Sequence, residues 1–105
     1  MIPTPDQLRA QCRIDDDDTS SDALLTLMAA AARRKAENFI NRPLYDDEVP
    51  EDEDSGLVVT EDIALAILLA VGHWYINREA AASVQQLPIP LGFNELLEPY
   101  RIIPL

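Results

Sequence analysis

At 105 residues, with 48% hydrophobic side chains and a net charge of −11, the chain has the size of one domain and the composition of a folded protein rather than a disordered one. The apolar stretch Ile63 to Ile76 carries no charged side chain, but at fourteen residues it is too short for a bilayer span of about 20. The acids of Asp15–Asp18, together with the seven between Asp46 and Asp54, match the whole negative excess. What remains is a balanced body, and a tight grip on nucleic-acid phosphates is disfavoured.

Taken along the chain, Thr4-Pro5-Asp6-Gln7 predicts a helix start. Thr4 caps, Pro5 occupies the first turn and Gln7 completes a capping box. The first helix is expected over about 5–13, with Leu8 and Cys12 on one face. The N-terminus has neither the basic start nor the apolar run of a signal peptide, so an intracellular protein is expected. Cys12 is the sole cysteine and reads as a packed thiol. Asp15–Asp18 resist helix continuation, and the following Thr and Ser residues offer caps for a second helix over about 21–41. Leu25, Met28, Ala32, Ala36, Phe39 and Ile40 form its apolar stripe, with Leu24 beside it and Arg33, Glu37 and Asn41 opposite.

Arg42-Pro43 ends that helix, and Leu44 and Tyr45 are expected to anchor the chain on the core. Residues 46–56 read as a mobile acidic loop, a candidate lumen or partner surface made of Asp46, Asp47, Glu48, Glu51, Asp52, Glu53 and Asp54. Leu57-Val58-Val59 suits either a short extended piece or the lead-in to a third helix. That helix is expected over about 61–82, capped by Thr60, with Glu61 and Asp62 in its first turn. A helix apolar all round must be covered all round, so part of the cover is sought in another subunit. Gly72 costs about 1 kcal/mol against Ala, which implies close packing there. Residues 87–105 read as an extended arm interrupted by a short helix over 93–97, and the apolar tail from Tyr100 either folds back or docks on a partner. The expected class is all-α: two main antiparallel helices, short N- and C-terminal helices, a long acidic loop and a C-terminal arm in one domain, 1–105.

Chemistry-bearing motifs are sparse. His73 is the only histidine and has no catalytic or metal-binding companion at a recognisable spacing. The Asp15 run fails as a calcium loop, since its sixth position is Ser20 and its twelfth Thr26. No phosphate-binding glycine loop or nucleophile elbow is present. No enzyme, metal or cofactor is therefore expected. Trp74, Tyr75 and Arg78 are residue types that dominate binding interfaces, although a plain core helix explains them equally well. With Leu91, Phe93, Tyr100, Arg101, Ile102 and Ile103 they make the candidate subunit or portal interface.

The order and spacing of these pieces carry a resemblance. An N-terminal Leu8 helix leads to Ile14-Asp15 and an acidic turn, then to Leu24-Leu25 and on to Phe39-Ile40-Asn41-Arg42-Pro43-Leu44. Ile63-Ala64-Leu65-Ala66-Ile67-Leu68-Leu69 runs into His73-Trp74-Tyr75-Ile76-Asn77-Arg78-Glu79, and Pro99-Tyr100-Arg101 closes the pattern. The chain resembles the small head–tail connector proteins of long-tailed bacteriophages. That resemblance implies a virion protein made in the host cytoplasm, assembled as a closed ring of about a dozen copies. The ring would join the portal to a stopper or tail-completion protein, and DNA would pass through without specific binding. No membrane and no catalysis are implied. The other reading, from the acidic runs alone, is a small acidic protein-binding module or DNA mimic.

Overall fold

A computed structural model describes residues 2–77 and 91–103 of the chain. The first helix, α1 (Pro5–Gln11), opens as its sequence dictates. The Gln7 N–H donates to Thr4 Oγ1 at 3.3 Å, and the Thr4 N–H donates to Gln7 Oε1 at 2.9 Å. It ends two residues before the expected Arg13. Arg13 takes a left-handed φ of 59°, and the Ile14 N–H reaches back to the Arg9 carbonyl at 2.9 Å. That pair of features closes the helix in a Schellman turn.

The acidic turn then folds on itself. Asp18 accepts hydrogen bonds from the Ser20 N–H at 3.1 Å and the Ser20 hydroxyl at 2.6 Å. α2 (Asp22–Ile40) follows, with Ser21 at the N-cap making no side-chain cap bond, contrary to the expected Ser/Thr capping. Asp22 supplies negative charge in the first turn instead. The buried stripe is Leu25, Ala29, Ala32, Ala36 and Ile40, with Met28 and Phe39 partly buried. Three alanines in that stripe let α3 (Glu61–Asn77) pack against it.

Arg33 and Glu37, expected on the polar side of α2, do structural work. Arg33 Nη2 donates to the Leu44 carbonyl at 2.7 Å, and Glu37 Oε2 accepts from the Leu44 N–H at 2.8 Å. They hold the strand β1 (Leu44–Tyr45), which pairs in parallel with β2 (Leu57–Val58) in the register Leu44↔Leu57. The expected all-α class does not include this pair, although Leu57-Val58-Val59 suits a short extended piece. Two residues per strand are too few to show alternation, and the pairing is set by α2 gripping β1.

α3 begins at Thr60, whose Oγ1 accepts from the Ile63 N–H at 3.4 Å. Ile63, Ala66, Ile67, Ala70, Val71 and Gly72 are buried under α1, α2 and a later helix, α4 (Leu91–Leu97). The cover sought from a neighbour is therefore largely internal; only Leu65 and Ile76 on α3 are large apolar residues left well exposed. A methyl on Gly72 would lie 3.1 Å from Gln11 Nε2, the close approach expected there. The expected continuation to residue 82 lies outside the described residues.

α4 (Leu91–Leu97) starts two residues earlier than expected. Leu91-Gly92 falls in the expected extended arm, which begins with Leu87-Pro88-Ile89-Pro90. A proline directly before a helix does not interrupt it, since the first turn needs no N–H from that position. Pro99 then sits inside a 3-10 turn (Glu98–Tyr100). The tail folds back, with the Ile102 N–H donating to the Ile40 carbonyl at 2.8 Å and Asn41 Nδ2 donating to the Ile102 carbonyl at 2.9 Å. The rest of the expected arm, 87–90 and 104–105, lies outside the described residues.

Candidate assembly surface

The charged groups divide into those spent on the fold and those left on the surface. Arg9 is nearly buried. It pairs with Asp22 at 2.6 Å and with Asp6, tying α1 to the start of α2. The Asp22 hydrogen bond is the main reason its guanidinium is held more basic than usual, and burial opposes this. Arg9 Nε and Asp22 Oδ1 are buried without a partner among the described residues, so the pair is incompletely satisfied. Asp18 is more acidic than an ordinary carboxyl, because the Ser20 hydroxyl and N–H stabilise its charged form.

Of the seven acids in the 46–54 loop, Asp47, Glu48, Glu51, Asp52 and Asp54 are exposed. Asp46 pairs with Arg33 at 2.5 Å, and Glu53 accepts from the Ser55 N–H and hydroxyl at 3.2 and 3.0 Å. Arg42 closes the loop from the other side. It donates to the carbonyls of Ser55 at 2.9 Å, Gly56 at 3.3 Å and Tyr100 at 3.4 Å. One guanidinium thus joins the end of α2, the end of the loop and the C-terminal turn. At Gly56 an added methyl would meet Val49 Cγ1 at 2.6 Å and Tyr45 Cε2 at 2.8 Å, so the loop packs against its own base.

The nine candidate interface residues fall into different environments. Phe93 is only 1% exposed and belongs to the core of its own chain. Trp74 and Tyr75 are partly buried and pack on that core. Tyr100 is also partly buried; its hydroxyl donates to Asp62 at 2.9 Å and accepts from the Thr60 hydroxyl at 3.2 Å, pinning the C-terminal turn to the start of α3. Arg101 is exposed with its guanidinium 4.9 Å from the Phe39 ring centroid, a cation–π arrangement. Ile102 and Ile103 are exposed by 44% and 65%. Arg78 and the side chain of Leu91 lie outside the described residues. The sequence reading missed Arg9, Arg33 and Arg42 as organising residues. The signals available were Asp6 three residues before Arg9 and the Arg42-Pro43 helix stop.

Among the described residues no catalytic set of side chains is brought together. The Asn77 amide donates to the His73 carbonyl at 2.8 Å, and His73 Nε2 is buried without a partner among the described residues. Cys12 is buried, and no cluster of metal-binding side chains occurs among the described residues. No helix there is long and apolar enough to cross a membrane. A shallow groove of about 250 Å³ runs along the end of α2, lined by Arg34, Glu37, Asn38, Asn41, Arg42 and Pro43.

Comparison with known proteins matches neither a curated protein nor a solved structure. A family model does match, over residues 4–101; it describes a phage gp6-like head–tail connector protein. The chain belongs to that family of structural phage virion proteins.

Proposed function

We propose, from that membership, that this protein is a ring-forming adaptor at the head–tail interface of a phage. It would join the portal to the stopper or tail-completion protein, with genomic DNA passing through the ring. The family match over residues 4–101 carries the reading. The charge distribution supports it. The acids at Asp15–Asp17 and the five exposed acids of the 46–54 loop face solvent, and such groups repel phosphates, so DNA slides past rather than binding. The exposed apolar side chains Leu65, Ile76 and Ile103 suit a protein whose surface is finished by assembly.

The test is electron microscopy of portal complexes reconstituted with the purified chain. A ring of this protein below the portal is the expected result. A chain that joins neither portal nor tail components, and stays monomeric at high concentration, would overturn the reading.

A further inference from the structure

We infer that the two flanks of α2 are complementary halves of a contact between successive copies of this chain. The acidic loop on one flank of one copy seats against the Lys35 and Arg101 flank of the next. The inference rests on the ring reading above and supplies residues for it.

The placement follows from helix geometry. α2 advances about 100° per residue, so Arg33 and Glu37 share one flank. Both grip β1, and Arg33 also pairs with Asp46, which sets the root of the acidic loop on that flank. Lys35 and Phe39 lie about 200° further round. Lys35 is exposed there, and Arg101 is carried to the same flank by its seat over Phe39. Arg34 is exposed on the crest between the flanks, near Leu27, which is 68% exposed.

Charge then decides how two copies meet. Arg9 and Arg33 have ion-pair partners within the chain, whereas Arg34, Lys35 and Arg101 enter no ion pair among the described residues. In a chain of net charge −11, Lys35 and Arg101 share the flank opposite the one on which Asp46 roots the acidic loop. A two-fold contact through the Lys35 flank would set Lys35 and Arg101 against their own copies, and one through the loop would set acids against acids. A head-to-tail contact pairs opposite charges and leaves both flanks used on every copy, which is the condition for a closed ring.

Sedimentation velocity of the full chain, over a concentration series at low salt and at about 1 M salt, where the screening length is about 3 Å, reads the contact. The wild type is expected to associate at low salt and to weaken at high salt. The Lys35→Glu/Arg101→Glu variant, with an unchanged circular dichroism spectrum, should associate at least about tenfold more weakly. Adding Asp47→Lys and Asp52→Lys to the same chain should restore association. Zero-length carbodiimide coupling of mixed natural-abundance and isotope-labelled chains should join Lys35 Nζ to a loop carboxylate in peptides carrying one label of each kind. If the wild type associates but the Glu variant associates equally well, or if mixed-label links to Lys35 are absent, the inference fails and the ring reading stands. A wild type that stays monomeric throughout, alone and with the portal, overturns both.

Discussion

Replacing Phe93 by Ala separates a core residue from an interface residue. In the sequence Phe93 is one more apolar residue of a C-terminal arm; in the structure it is 1% exposed and lies in the same cluster as Leu8, Ile67, Val71 and Leu97. Removing a fully buried ring costs the transfer of its carbons plus the cavity left behind, about 3–5 kcal/mol. Domains of this size are stable by only about 5–15 kcal/mol, so the loss takes away a large share of the total. At a urea m-value of about 1.5 kcal/mol/M, the midpoint should fall by about 2–3 M. The sole tryptophan, Trp74, is partly buried against the same core and reports the transition by fluorescence, at one fixed low protein concentration so that association does not enter. Phe93→Leu keeps the site filled and should cost less than about 1.5 kcal/mol, which preserves a folded variant if the alanine form does not fold. A Phe93→Ala chain that loses assembly while its stability falls by less than about 1 kcal/mol would refute the placement of Phe93 in the core.

Gly56→Ala should destabilise by about 1–3 kcal/mol in the same assay, because its methyl has no room between Val49 and Tyr45 at the base of the acidic loop; an unchanged midpoint would show that the loop does not pack there. Arg13→Gly should stabilise by up to about 1 kcal/mol, since a glycine relieves the left-handed φ of 59° that closes α1. A loss of stability would mean that the Arg13 side chain contributes more than its backbone costs. The Asp18 carboxyl is held below its ordinary value of 3.8, so its contribution to stability is complete above that pH and is lost as pH falls through the depressed folded value. Ser20→Ala should move the carboxyl back toward 3.8, read by titration of the Asp18 side-chain carbon resonance; a titration that does not move would remove Ser20 as the cause.

Where local chemistry decides, the sequence was a sound guide. The Thr4 capping box, the start of α3 at Thr60 and the close packing at Gly72 each depend on residues a few positions apart or on a missing Cβ, and each appears where expected. The apolar stripe of α2 was likewise readable from its period, and Ala29 is the one buried residue outside the expected stripe. The errors lie where a distant group decides. Arg33 and Glu37 are expected only as residues opposite the apolar stripe, because nothing nearby in sequence shows that Leu44 will come to them.

By itself the sequence determined that this is a mostly helical domain with its acids set apart in two runs, and the order of its segments identified its family. Those features follow from periodicity, capping and charge count, which are local or additive. Only the tertiary structure decided which apolar residues the chain covers for itself. Ile63, Ile67 and Phe93 lie under the chain's own helices, while Ile76 and Ile103 stay exposed. Hydrophobicity states that a side chain gains by leaving water, but not what will cover it. The opposed charges on the flanks of α2 have the same origin, since Asp46 reaches Arg33 and Arg101 reaches Phe39 only after the chain has folded back on itself.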